Sequence, residues 1–218
     1  MRKISISQIA FFMFLLLVII TLGVGTTYGL LGALPLGDFR GVVLVTAGVG
    51  FVYLWAMAIY RAFLRVMPLR EGELANGSRE EFAAQVNILF YLFLFNSLIR
   101  THFLPVPIMR LVYLALGARL GANTYSAGVL LDPPLTEFGD NCIIGHDAVL
   151  YSHAIEGARF SLARIRVGSH VTIGATAVVM SGVTIDDGAI VSAGAVVLKD
   201  TRIGAGEVWG GVPARRLR

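Results

Sequence analysis

The chain has 218 residues, of which 56 % are hydrophobic and 15 % charged, with a net charge of +4 and a mean hydropathy of +0.75; soluble domains average roughly 45–50 % apolar and about 25 % charged. That balance excludes an ordinary water-exposed chain, and the scattered arginines do not form the clustered basic face of a nucleic-acid binder. A single cysteine, Cys142, excludes an internal disulfide framework and suits a reducing compartment.

Residues 8–31 and 41–60 are uncharged apolar runs. About 20 such residues cross a bilayer core at about 1.5 Å rise per residue, so both predict membrane helices. Gly32, Pro35, Gly37, Asp38, Arg40 and Gly41 lie between them and predict the tight turn of a helical hairpin. Arg2 and Lys3 ahead of the first run would suit a secretory leader, but the run is longer than a leader's apolar region, so an anchor is expected. Arg2 and Lys3 precede the hairpin, Arg61, Arg65, Arg70 and Arg79 follow it, and the turn holds only Arg40. The positive-inside bias then puts both ends on the cytoplasmic face of the inner membrane.

A third apolar stretch, 82–99, could just span. Spanning would carry Arg100, Arg110 and Arg119 across, against the same bias. Gln85 and Asn96 fall on one side of a regular helix. This stretch is therefore expected to lie in the interface plane or partly submerged. A short helix over 108–116 should follow Pro105 and Pro107. The organisation expected is a two-helix transmembrane anchor (1–67), an amphipathic membrane-proximal connector (68–119) that holds His102 in a structural role, and a catalytic domain (120–218).

From Val167 an apolar residue recurs every six positions, at Ile173, Val179, Ile185, Val191, Val197, Ile203 and Trp209. Small residues follow four later, as at Ala177, Ala189 and Ala195. Phe138, Ile144 and Leu150 keep the same phase, with Cys142 and Ala148 behind them. Helices repeat every 3.6 residues and strands every two, so a period of six fits neither. A triangular prism fits it: three short strands per coil, lead residues inward, small residues near the corners, and Gly139, Gly145, Gly168 and Gly174 relieving the turns. Stacked coils pair their backbones and leave edges only at the two ends. Leu120 is in phase but Ser126 and Asp132 are not apolar, so an irregular first coil is expected. The register breaks within 156–166, which reads as a loop leaving the prism. Cys142 takes an inward corner and should be a packed, inert thiol.

These hexads, the excursion and the ending Trp209-Gly-Gly-Val-Pro-Ala-Arg-Arg216 resemble the hexapeptide-repeat acyltransferases, the group that includes serine, galactoside, maltose and xenobiotic acetyltransferases. The resemblance begins near residue 120. It implies a left-handed parallel β-helix, a homotrimer with clefts between subunits, acetyl-CoA as acyl donor and no metal. Transfer to a hydroxyl needs a base, oxyanion donors and a groove for the thioester. Four histidines offer the base: His102, His146, His153 and His170. The resemblance places the base beside the excursion, which favours His153, with His146 second and His170 a surface residue. Glu156 and Asp147 are the local carboxylates that could orient it. For the donor, the resemblance points to Gly174, Ala175, Ala193 and Gly194 along the pantetheine arm, with Lys199, Pro213, Arg215 and Arg216 near the nucleotide. Turn geometry explains the small residues equally well, and anionic lipid would equally explain the basic tail.

The function this implies is a membrane-anchored, acyl-CoA-dependent O-acyltransferase acting on a lipid-linked or membrane-delivered sugar or other hydroxyl. Two other readings stand beside it. One is a γ-type carbonic anhydrase, although His146 and His153 are seven apart where that family's pair is five apart, and no histidine lies between His102 and His146. The other is a non-catalytic trimeric scaffold on the membrane.

Overall fold

The computed structural model describes residues 3–101 and 103–218; expectations resting on Arg2 and His102 fall outside the described residues. Helix α1 (Ile6–Leu31) opens on a reciprocal cap, in which the Gln8 amide donates to Ser5 Oγ and the Ser5 amide donates to Gln8 Oε1. Helix α2 (Arg40–Val66) returns alongside it. The pair packs closely at Gly23, where an added Cβ would stand 2.5 Å from Val52 Cγ2 and 2.9 Å from Val52 Cα. Small residues at helix crossings serve this purpose in membranes. Arg40, the turn's cation, donates to the carbonyl of Gly32 at the end of α1 and to that of Leu34 in the turn.

The third apolar stretch forms α3 (Arg79–Phe90), a π-helical turn (Tyr91–Phe95) and α4 (Asn96–Arg100) in one run. Three helical runs, Ile6–Leu31, Gly37–Val66 and Arg79–Arg100, are long and apolar enough to cross a membrane. They differ in what covers them. The apolar windows of the first two are 17 % and 6 % buried inside the protein, that of the third 56 %. The first two therefore leave their apolar surface open, whereas the third uses much of its own internally. Phe82 packs edge-on to Phe11, and Phe90 packs against Phe12, Tyr60 and Phe63.

The π turn changes which polar residues share a side. In an unbroken helix Gln85 and Asn96 align, but here the Asn96 amide donates to the Tyr91 carbonyl, five residues back. That bonding advances the register by one residue. Gln85 is buried apart from Asn96, and Asn96 instead lines one cavity with Asn87, Tyr91 and Arg100. The expected Gln85–Asn96 stripe is corrected accordingly. Helix α5 (Val106–Leu116) ends at Gly117, whose φ of +107° is left-handed. It covers the open end of the prism: Tyr113 Oη donates to the Gly128 carbonyl, and Arg110 donates to the carbonyls of Leu120, Gly121 and Thr124.

The prism has three parallel faces. One stacks Arg119–Leu120, Thr136–Phe138, Ile165–Val167, Thr184–Ile185 and Arg202–Ile203. The second runs from Tyr125–Ser126 to Val208–Gly210 and is closed by Arg215–Arg216 returning antiparallel. The third stacks Val129–Leu130, Val149–Leu150, Val178–Val179 and Val196–Val197. Leu150, Ile173, Val179, Val191 and Val197 are fully buried, each worth roughly 1.5–3 kcal/mol against exposure.

The structure revises three readings of the repeat. The turns are made by a residue three places after each lead, such as Asn141, Asp147, His170, Gly182 or Gly194, with φ between +56° and +75°. The glycine directly after the lead serves close approach instead: a Cβ on Gly145 would stand 2.5 Å from the Ala175 backbone nitrogen. In the first coil Leu130, not residue 132, takes the inward place and pairs with Leu150, so Asp132 is free for another role. The excursion begins earlier than 156: it is a β-hairpin of His153–Glu156 and Arg159–Leu162. The connector straps this hairpin down. Gly72–Glu73 adds a third strand, Leu74 packs with Leu135, Phe160 and Leu162, and Glu71 accepts from Arg164 and Arg166.

Cys142 is fully buried and its Sγ donates to the Gly168 carbonyl at 3.0 Å. Burial pushes its thiol up from the ordinary value, so it stays protonated and unreactive. The full chain in detergent should resist maleimide at neutral pH until denatured; labelling of the native protein within minutes would contradict the packed corner.

Candidate functional site

The prism's three corners each carry one histidine. His170 lies where the first face turns into the second, His146 where the second turns into the third, and His153 where the chain leaves the third. His170 is exposed at a left-handed turn position. The His146 side chain is 63 % exposed, with Nε2 3.3 Å from Asp147 Oδ2. His153 differs from both. Its side chain is 26 % exposed, and Nδ1 lies 2.6 Å from Oδ2 of Asp132, which is almost fully buried.

Asp132 reaches this place because the first coil turns early, after Leu130, into the helical turn Pro133–Leu135. Its Oδ2 also accepts the backbone amides of Ser152 at 2.8 Å and His153 at 3.2 Å. Oδ1 accepts from Asn87 Nδ2 at 3.4 Å, and Asn87 Oδ1 accepts from Tyr60 Oη at 2.6 Å. The carboxylate is thus held by donors from both the prism and the helices. With Nδ1 donating to a carboxylate, the neutral ring keeps Nε2 as its basic nitrogen. Burial disfavours the charged ring, but the charge and hydrogen bond of Asp132 outweigh it and raise the His153 pKa above the ordinary value.

His153 stands between two cavities. One, of about 480 Å³, is lined by Tyr151, Ile155, Glu156, Met180 and Lys199. The other, of about 280 Å³, lies toward the third helical run and is lined by Asn87, Tyr91, Asn96 and Arg100.

The other residues singled out from sequence fall into two groups. Gly174 and Ala175 stack on Ala193 and Gly194 at the corner below His146, joined by Thr176 N–H to His146 O and Gly194 N–H to Ala175 O. Gly211 and Pro213 continue that corner, since Val196 donates to the Gly211 carbonyl and accepts from Ala214. Lys199 lies instead on the His153 corner, 3.3 Å from Glu156. Glu156 therefore pairs with Lys199; the carboxylate beside the His153 ring is Asp132, and Asp147 lies beside His146. Arg216 pairs with Glu207 at 2.9 Å, and Arg215 is exposed beside it. One chain places the His153 group and the Gly174–Gly194 corner at opposite edges of the third face. Sequence reading missed Asp132, Asn87 and Tyr60. An Asp at an expected inward position was the available signal for the first.

If Asp132 sets the ring, Asp132→Asn should lower kcat/KM by on the order of 10²- to 10⁴-fold, the range general-base catalysis contributes. If His153 is the base it works neutral, so activity should rise as pH increases through the raised His153 pKa, above the ordinary value of about 6.5. In Asp132→Asn burial acts unopposed, and that limb should move to lower pH. A limb unmoved by the substitution would remove the pairing from the chemistry.

Residues 164–199 match the family model of bacterial transferase hexapeptide (six repeats). Gamma carbonic anhydrase 1, mitochondrial, of Arabidopsis thaliana is 43 % identical over 83 residues, 38 % of this chain and 26 % of that protein. YvoF of Bacillus subtilis strain 168, provisionally named an acetyltransferase, is 36 % identical over 86 residues, 39 % of this chain and 49 % of that protein. A hexapeptide-repeat acetyltransferase of Vibrio cholerae solved with acetyl coenzyme A is 28 % identical, over 47 % of this chain and 60 % of that one, with a TM-score of 0.44. The chain spans between about a quarter and a half of the length of the curated relatives it matches. The matched residues are ones that form the stacked six-residue coils of the prism, so the repeat domain is similar there to the bacterial transferase hexapeptide repeats.

Proposed function

We propose that the protein is an O-acyltransferase of the cytoplasmic membrane that moves an acyl group, acetyl in the simplest case, from coenzyme A to a hydroxyl delivered by the bilayer. The observation that carries this is the pairing of His153 with the buried Asp132 at 2.6 Å, set between a cavity on the prism and one on the apolar helices. The α1–α2 hairpin is the anchor, with the prism on the cytoplasmic side. His153 Nε2 takes the acceptor hydroxyl's proton as its oxygen attacks the thioester carbonyl. The C–S bond then breaks, and the thiolate leaves with the proton from His153.

The prism offers the donor a cradle at Gly174, Ala175, Ala193 and Gly194. There the ladder uses the amides of Gly174, Thr176 and Gly194 and leaves those of Ala175 and Ala193 without a backbone acceptor among the described residues. Lys199, Pro213, Arg215 and Arg216 would hold the nucleotide end, the cations meeting its phosphates. His146 borders this corner and is the second candidate for the base. Because cradle and base occupy opposite edges of one face, a complete site needs two subunits, and a homotrimer closes three such sites by symmetry.

Acetyl-CoA turnover by the full chain should fall by on the order of 10²- to 10⁴-fold in His153→Ala. Co-assembling His153→Ala with Ala193→Trp subunits should restore part of it, since some clefts then combine two intact edges. A monomer in solution, or mixed subunits that stay inactive, would overturn the shared cleft. Turnover unchanged in His153→Ala would overturn the base.

A carbonic anhydrase reading is favoured by the 43 % identity to the Arabidopsis protein. Its zinc would need several ligands, and among the described residues no three His, Cys, Asp or Glu side chains are gathered within one chain. Elemental analysis decides it: one zinc per subunit in the purified protein would displace the transferase reading.

A further inference from the structure

We propose that the cavity between His153 and the third helical run is the acceptor site, and that it holds a hydroxyl-bearing phosphate ester of headgroup size. This rests on the acyltransferase reading. At about 280 Å³ the cavity falls just below the roughly 300–1,000 Å³ of sites for drug-sized ligands. It suits one headgroup, not acyl chains. It shares His153 and Leu131 with the 480 Å³ cavity and no other lining residue. Two substrates can therefore reach the same ring from separate spaces, as direct transfer requires.

Among apolar walls formed by Ile88, Leu92 and Leu131, the lining gathers polar side chains from an otherwise largely apolar helix. Polar and ionisable groups in membrane helices are costly and mark functional sites. Tyr91 and Asn96, five residues apart, would lie about 140° apart around an unbroken helix at 3.6 residues per turn. The π turn stacks them instead, so that Asn87, Tyr91, Asn96 and Arg100 line a single cavity. Such turns are rare and concentrate at functional sites. Leu92, which itself lines the cavity, and its neighbour Phe93 are 53 % and 64 % exposed and offer apolar surface for chains attached to a headgroup. The cation is Arg100. Among the described residues only its Nε is hydrogen-bonded, to Tyr91 Oη at 3.3 Å, which leaves both terminal nitrogens to take a phosphate bidentately.

The hydroxylated phosphate could be a lipid headgroup or a soluble sugar phosphate, and the test separates the two. The full chain is placed in nanodiscs of phosphatidylcholine alone, of phosphatidylcholine with phosphatidylglycerol, or with phosphatidylinositol. A fourth sample adds glucose 1-phosphate to phosphatidylcholine discs. Thiol release from acetyl-CoA and the mass of the acetylated product are measured. A hydroxylated phospholipid should raise release about tenfold over phosphatidylcholine alone. Arg100→Lys and Asn96→Ala should each raise the acceptor KM by about tenfold, as loss of a charge-assisted hydrogen bond does, while the KM for acetyl-CoA stays within about twofold. Acetylated glucose 1-phosphate with the same sensitivity to Arg100→Lys would support the pocket and assign it a soluble ligand. An acceptor KM indifferent to both variants would overturn the proposal. So would acetyl-CoA that is bound and slowly hydrolysed yet responds to none of these phosphates. Failure to bind or cleave acetyl-CoA under any condition would instead sink the transferase reading itself.

Discussion

A carboxylate taken out of water must be surrounded by donors, and Asp132 is buried with no Lys or Arg partner among the described residues. Its charge is met by two backbone amides, one imidazole and one carboxamide. Leaving one of these unmade would cost roughly 1–3 kcal/mol, more for a charged group. Three of the four donors come from Ser152 and His153, which the hairpin holds in place. The fourth, Asn87, comes from α3 and is itself fixed by Tyr60 of α2. The dyad, the hairpin and two helices therefore settle together.

This coupling explains why the two halves are joined so firmly. The connector adds a strand to the excursion hairpin, Glu71 ties Arg164 and Arg166, and α5 covers the first coil's open carbonyls. An excursion on a repeat prism could have been a mobile lid. Here it forms two strands of a three-stranded antiparallel sheet, with Arg159–Leu162 in the middle, and the ring it presents is held by Asp132. The helical half thus supplies one wall of the cavity beside His153.

The prism was legible from sequence because its signal is local and repetitive: every sixth residue meets the same packing demand from Phe138 to Leu150 and from Val167 to Ile203. The helical hairpin was legible for a similar reason, since two long apolar runs parted by a turn rich in Gly and Pro predict two helices, and two helices form. His153 stood out by its place beside a break in the period. Asp132 did not, because it lies twenty-one residues upstream of His153, and only the early turn after Leu130 brings them together. The π turn was hidden as well. Nothing in Tyr91–Phe95 departs from an apolar helix pattern, so the shift of Asn96 away from Gln85 arises from packing alone. Long-range contacts and local changes of helical pitch leave no periodic trace.

The ladder of backbone bonds that stacks the coils also acts as a ruler. Each coil adds about 4.8 Å, the spacing of hydrogen-bonded strands, and the corner that holds His146 is followed in steps by those of Ala175, Ala193 and Gly211. The separation between His153 and the Pro213 corner is therefore set in whole coils, with side chains able to adjust it only slightly. A donor arm lying along that corner would be measured in the same units. Under the transferase reading, gain or loss of one eighteen-residue coil would offset its reactive end from the ring by a full step, so the count of coils, and not any single residue, would set that distance.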